Sequence, residues 1–167
     1  MTPLARLGVA VVIAAAAFGA YRWWNGPERQ ITVTLEAIAA RLSHDGPVNG
    51  LAAAAAAASI QEYLSPDVAI ALGRPFAPLT GRDIVVAMAA RVLAATPVLR
   101  VELVDVEIAM SDDRETANVT CGVTATFTDR AGQQTVDARE LKVTLRARQG
   151  RWVVERAESV NVMEPVT

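Results

Sequence analysis

The sequence has very few residues that bind metals or form disulfide bonds. Among its 167 residues, Cys121 is the only cysteine and His44 is the only histidine. A single cysteine excludes an intramolecular disulfide, and these two residues cannot supply the ligand set of a structural zinc site. We therefore predict no metal site and no bound cofactor. Because Cys121 lies within an apolar alternation, it is interpreted as a small buried residue.

The chain also lacks an excess of positive charge. Its 16 Lys and Arg residues and 18 Asp and Glu residues give a formal net charge of -2, and the basic residues are scattered along the chain. Proteins that bind nucleic acids neutralise phosphates with a basic patch or stripe. Nucleic acid is therefore not an expected partner.

Close to its start, after Arg6, the sequence has an uncharged run from Leu7 to Tyr21. This run of about 15 residues is shorter than the roughly 20 that cross a bilayer squarely, but residues 3–5 extend it if Arg6 snorkels. Trp23 and Trp24 follow, and such aromatic residues settle at the membrane interface. These features favour an N-terminal transmembrane anchor.

The anchor divides the chain into residues 1–24, a linker at 25–27 and a single domain at 28–167. A cleaved signal peptide is the alternative, since Ala17 and Gly19 suit a cleavage site after Gly19. If the segment is an anchor, the lipid bilayer is a partner of the protein through this N-terminal helix. We then expect a single-pass inner-membrane protein whose C-terminal domain is periplasmic or extracellular.

Three segments have the spacing or composition of helices. The first has apolar residues at helical spacing, and the second is rich in alanine, the best helix former. Thr80 and Asp83 resemble a capping box before the third. The predicted helices are residues 28–43, 51–64 and a third from Ile84 to the turn at 96–97, with a short buried strand at 68–72 before the third.

From Val98 onward, apolar and polar residues alternate, which is typical of strands with one buried face. Four long antiparallel strands are predicted at about 99–108, 119–128, 140–146 and 152–162. In the first of them the apolar residues change parity, which predicts a β-bulge near Val104. Helices followed by a meander indicate an α+β fold with the helices on one face of a curved sheet.

With this order of elements, the chain resembles the nuclear transport factor 2-like (NTF2-like) superfamily, including its SnoaL-like branch, over roughly Glu28 to Val162. The resemblance also depends on the passage from Leu72–Gly73 to Thr80–Asp83 and on the Gly150–Val154 turn and strand. It implies a cone-shaped fold in which three helices pack on a curved four-stranded antiparallel sheet plus one short strand. One transmembrane helix precedes this domain.

The resemblance also implies a pocket between helices and sheet, but not one reaction, because members range from isomerases and dehydratases to non-catalytic modules. The candidate pocket-lining residues are Tyr63, Asp67, Arg74, Cys121 and Phe127. No catalytic residue is assigned, because the buried strand faces supply no obvious carboxylate or histidine.

We therefore expect a non-catalytic, membrane-anchored module that binds a small apolar ligand or a protein partner. One alternative is a SnoaL-like isomerase or hydratase that uses Tyr63, Asp67 or His44. Another is a homodimer formed through the outward face of the sheet.

Overall fold

The computed structural model describes residues 13–15, 26–74 and 76–160, of which residues 13–15 are helical. The later helices are α1 (Pro27–Leu42), α2 (Gly50–Ser59), a short 3₁₀ helix (Gln61–Tyr63) and α3 (Arg82–Ala95). The strands are β1 (Leu64–Ala71), β2 (Leu79–Thr80), β3 (Val98–Met110), β4 (Thr116–Thr128), β5 (Gln134–Arg148) and β6 (Arg151–Ser159).

Within the described residues, six strands form one mixed sheet in the order β2-β1-β6-β5-β4-β3. β1 and β6 are parallel, and the other neighbouring strands are antiparallel. The α+β class and the meander of β3 to β6 are therefore confirmed. The predicted short strand is not separate from the meander, because β1 lies beside β6 in the same sheet. β2 was missed because two residues leave no periodic pattern.

One face of the sheet, called the inner face here, carries Val119 and Cys121 on β4 and Val143 and Leu145 on β5. These residues share a core with Ile31 and other apolar residues of the helices. The opposite or outer face carries Thr120 and Lys142, which pair across the same two strands. The helices therefore cover the inner face, as the alternation predicts.

The second helix ends earlier than expected, at Ser59 rather than at Leu64. Ile60 and Leu64 are buried in the main core, so the chain leaves the helix to enter the sheet. β1 begins at Leu64, four residues before the predicted strand at 68–72, so residues 65–67 belong to it. Pro66 is tolerated because the register of β1 against β6 is irregular between Leu64 and Ala69, so the missing N–H breaks no regular ladder.

The predicted helix cap at Thr80 is wrong. Thr80 pairs with Ala69 in β2, and Gly81 is the N-cap of α3, with φ 95° and no side-chain hydrogen bond at the cap. Glycine adopts this conformation without the steric cost that a Cβ would add. The first turn of α3 is therefore left without a side-chain acceptor at its N-cap.

The predicted bulge near Val104 is confirmed. The register of β3 against β4 shifts between Val104 and Glu107, and Asp105 has φ 51°. Val104 lies against Gly122, where a Cβ would approach Val104 Cγ2 to 2.6 Å. Gly122 therefore leaves room for the Val104 side chain on the outer face.

No helix within the described ranges is long and apolar enough to cross a bilayer. The predicted anchor at residues 1–24 lies outside the described residues except for the three at 13–15.

Candidate functional site

The inner face of the sheet is covered at one end and partly exposed at the other. On β4, Val119 and Cys121 are at most 2% exposed, whereas Ala125 and Phe127 farther along the strand are only partly buried. Val101 lies opposite Ala125 on β3 and is also partly buried. This second region, called the open end here, comprises Val101, Ala125, Phe127, Asp137 and Arg139.

Two charged residues lie on the inner face at the open end. Asp137 is opposite Ala125 and Arg139 is opposite Val123, and directly opposed residues in an antiparallel pair share a face. The sequence interpretation missed both because it followed the β5 alternation only as far as Glu140. Continuing it by two-residue steps from Leu141 leads directly to Arg139 and Asp137.

Arg139 joins Asp137 to the loop at residues 72–78, which connects β1 and β2. Its Nε donates to both carboxylate oxygens of Asp137 at 3.0 Å, Nη1 donates to the carbonyl of Leu72, and Nη2 donates to the carbonyl of Arg74 at 3.3 Å. The guanidinium carbon also lies 5.4 Å from the centre of the Phe76 ring. The Arg139 side chain is only 22% exposed, so it fastens this loop to the sheet.

Replacing Arg139 with Gln should release the loop. Charge-assisted hydrogen bonds are lost, and the loss should lower the free energy of unfolding by about 1–2 kcal/mol, because both partners are only partly buried. Chymotrypsin should then cut after Phe76 faster than in the wild type. Arg130→Gln, in an exposed hairpin turn, is the control. Equal cleavage rates in both variants would contradict the assigned role of Arg139.

Cys121 and Phe127 both lie on the inner face, but in different surroundings. Cys121 belongs to the main core, whereas Phe127 packs against a second core cluster that includes Leu93 and Leu99. Burial raises the pKa of the Cys121 thiol, which lowers the fraction of reactive thiolate. Cys121 is therefore a residue of the main core, whereas Phe127 belongs to the open end.

Cys121 should react slowly with a maleimide in the folded protein. We expect labelling at least on the order of 100-fold slower than in denaturant, because the thiol must first be exposed by local unfolding. Mass spectrometry of timed, quenched samples measures both rates. Equal rates of maleimide labelling with and without denaturant would show that Cys121 is accessible in the folded protein.

Tyr63, Asp67 and Arg74 lie in different surroundings. The Tyr63 ring lies 4.6 Å from the guanidinium carbon of Arg41. The Asp67 side chain is 82% exposed and accepts a 2.5 Å hydrogen bond from Ser65 Oγ. This bond lowers the pKa of Asp67, so its carboxylate stays ionised at neutral pH. Arg74 is exposed and contributes only its backbone carbonyl to the Arg139 contacts.

His44 lies beside the sheet and is separated from Asp137. It forms an isolated bridge with Leu99, and its Nδ1 is 2.9 Å from the carbonyl of Gly46, to which it donates. Nε2 is buried without a partner among the described atoms. The pairs His44–Leu99, Leu99–Phe127 and Phe127–Thr135 span three strand spacings. At about 4.8 Å per spacing, the backbone of His44 lies about 14 Å from that of β5.

This geometry does not bring an acid and a base together on the inner face. Asp137 is engaged by Arg139, and His44 is too distant for proton transfer between them, which requires hydrogen-bond reach. Within the described part of the chain, no three Cys, His, Asp or Glu side chains are placed to hold a metal ion. What the open end offers is partly buried apolar surface, packed in part against the second core cluster, beside an ion pair.

Solved structures with the same fold were found, although no protein-family model and no curated protein sequence matches the chain. One is a Novosphingobium aromaticivorans protein provisionally named scytalone dehydratase, with a TM-score of 0.67, 15% identity, and coverage of 81% of this chain and 83% of that one. A provisionally named dehydratase of the NTF2-like family from Streptomyces avermitilis has a TM-score of 0.60, 14% identity, and coverage of 81% and 96%.

A third similar structure is an NTF2-like protein with a cystatin-like fold from Novosphingobium aromaticivorans. Its TM-score is 0.56 at 19% identity, with coverage of 77% of this chain and 80% of that one. At these identities the likeness shows the fold alone. The chain therefore has the NTF2-like, cystatin-like fold that the resemblance implied.

Proposed function

We propose that this chain is a membrane-anchored NTF2-like domain that binds a small apolar ligand at the open end of the inner face, without converting it. One observation carries the proposal. Val101, Ala125 and Phe127 are apolar and point to the covered side of the sheet, yet they remain partly exposed. Burying such surface is favourable by about 25 cal/mol per Å², so an apolar ligand of matching size gains affinity there.

The arrangement of titratable groups favours binding over catalysis. A general acid or base must lie within hydrogen-bond reach of the proton that it moves. Tyr63 lies against Arg41, Asp67 is largely exposed, and His44 is remote from Asp137. The Asp137–Arg139 pair instead positions the loop that borders the open end.

Membrane attachment is the part of the proposal that depends on residues 1–24. Their uncharged run and interfacial aromatic residues suit an anchor, and the proposal takes the domain that follows them to be periplasmic or extracellular. The intact mass of the protein in the membrane fraction tests this. A mature chain that begins near Ala20 or Tyr21 would contradict it.

Native mass spectrometry of the detergent-extracted full chain tests ligand binding. We expect a population with added mass that survives removal of detergent and is lost on unfolding. Extraction of that species into organic solvent should release an apolar compound. Bare chain under all mild conditions would contradict the proposal.

A second candidate is a dehydratase or isomerase that uses Asp137 as a general base. The observation in its favour is that the Asp137 carboxylate is on the inner face, next to partly buried apolar side chains. To act as a base, the Asp137 carboxylate would have to give up its hydrogen bonds from Arg139 and accept a proton from the substrate. Turnover of the retained compound that disappears in Asp137→Asn, with the compound still bound, would replace the binding proposal with this one.

A further inference from the structure

A second concavity lies at the opposite end of β5 from the open end. Its volume is about 810 Å³, and Arg82, Arg148 and Arg151 line it together with Glu62 and Gln149. We call it the arginine groove. Arg148 lies nine positions along β5 from Arg139, which is ~30 Å at 3.3–3.4 Å per residue. The arginine groove is therefore distinct from the open end.

The arginine groove is positive in a chain that is negative overall. Three arginines and one glutamate line it, a local balance of +2 against the net charge of -2 for the chain. Asp67 and Glu155 pair with Arg148 and Arg146 at its border, while Arg41 adds a further positive charge beside Glu62. Counting these neighbours, five arginines face three carboxylates, and the local balance is still +2.

Two of the three groove arginines pair with carboxylates. Arg148 Nη2 lies 3.1 Å from Glu155 Oε1, and Arg151 Nη1 lies 3.3 Å from Glu62 Oε2. The hydrogen bond from Arg41 lowers the pKa of Glu62, so Glu62 stays charged and keeps orienting Arg151. Both pairs are partly exposed, Arg151 being 72% and Arg148 45% accessible, so they orient the guanidinium groups only weakly and leave them accessible to a ligand.

Arg82 is different, because it has no ion pair or hydrogen bond to any described side chain. Its Nε is buried and lacks a partner, whereas buried polar atoms nearly always have one. Arg82 is also the first residue of α3, whose N-cap Gly81 provides no side-chain acceptor. No carboxylate of the described residues neutralises Arg82, and the residue lines the groove, so the charge of its guanidinium group, beside a helix start, is available to an acceptor from outside the chain.

We infer that the arginine groove binds a phosphate group, with Arg82 as its principal ligand and Arg148 and Arg151 as supporting ones. Guanidinium groups present paired N–H donors that match the oxygens of phosphate. The groove is far larger than one phosphate, so the phosphate belongs to a larger molecule or shares the space with water. A phospholipid headgroup and a free phosphate both supply this chemistry. The inference does not depend on whether a ligand binds at the open end.

Isothermal titration calorimetry on the full chain in dodecyl maltoside, at low ionic strength, tests the inference. The probes are inorganic phosphate and monomeric dihexanoyl phosphatidic acid. We expect saturable binding of at least one probe, and Arg82→Gln should weaken it at least about tenfold because charge-assisted hydrogen bonds are lost. Arg91→Gln removes the same charge from an exposed position of the same helix and should weaken binding less than about twofold.

The outcomes separate the two sources of phosphate. Phosphatidic acid binding at least about tenfold more tightly than inorganic phosphate assigns a lipid headgroup, and similar affinities assign a free phosphate. Arg151→Gln should also weaken binding, which keeps the test valid if Arg82→Gln unfolds. Ala125→Phe at the open end should leave binding of the phosphate probes unchanged. Absence of saturable binding of both probes, or equal affinity in Arg82→Gln and the wild type, would overturn the inference.

Discussion

Replacing Leu145 with Ala should lower the free energy of unfolding by about 2–5 kcal/mol, the usual range for a fully buried leucine. Leu145 is 0% exposed and lies between Ala117 on β4 and Val154 on β6. Because all three are core residues of adjacent strands, the cavity left by the shorter side chain cannot be filled by solvent or by a surface loop. A loss of this size is a large fraction of the 5–15 kcal/mol typical of a whole domain.

Urea unfolding of the full chain in detergent, followed by far-ultraviolet circular dichroism, measures the effect of Leu145→Ala. Val136→Ala is the matched control, since Val136 is on the same strand but is 61% exposed. It should change the free energy of unfolding by no more than about 0.5 kcal/mol. Equal losses in the two variants would show that the assigned parity of β5 is incorrect.

Replacing Ala125 with Phe should displace the ligand that we propose for the open end. Ala125 lies between Val101 on β3 and Asp137 on β5, so a phenyl ring at this position occupies the space above the partly exposed apolar surface. We expect the ligand-bound fraction in native mass spectrometry to correspond to an affinity at least about tenfold lower, or 1.4 kcal/mol. Because Ala125 is not fully buried, the domain should still fold.

Thr126→Phe is the control for this displacement. Thr126 is the next residue of β4 and pairs with Arg100 and Val136, so its side chain is on the outer face. The same added volume should therefore leave ligand binding unchanged. Loss of the ligand in both variants would indicate general destabilisation, and retention in Ala125→Phe would place the ligand elsewhere.

Much of the fold could be predicted from the sequence because β3 to β6 are long and alternate regularly. Even the bulge near Val104 was visible as a change of parity. β1 was harder to delimit, because Ser65, Pro66 and Asp67 have the composition of a turn, and it is the flanking residues Leu64 and Ala69 that pair with β6. Thr80 has the composition of a helix cap, but pairing with Ala69 holds it in β2.

The candidate site was less predictable, for two different reasons. Asp137 and Arg139 follow from the β5 alternation, but they were missed because the predicted strand began at residue 140 and the alternation was not continued before it. The arginine groove could not be predicted in this way. Arg82, Glu62 and Arg151 come from separate segments of the chain, and only the packing of α3 and the 3₁₀ helix beside the β5–β6 turn brings them together.

The position of the retained ligand in a crystal structure of the purified chain tests the proposed function most directly. We predict ligand atoms within about 4 Å of Val101, Ala125 and Phe127, with Asp137 still bonded to Arg139. A ligand bound away from these three residues, or an Asp137 released from Arg139 and hydrogen-bonded to the ligand, would contradict non-catalytic binding at the open end.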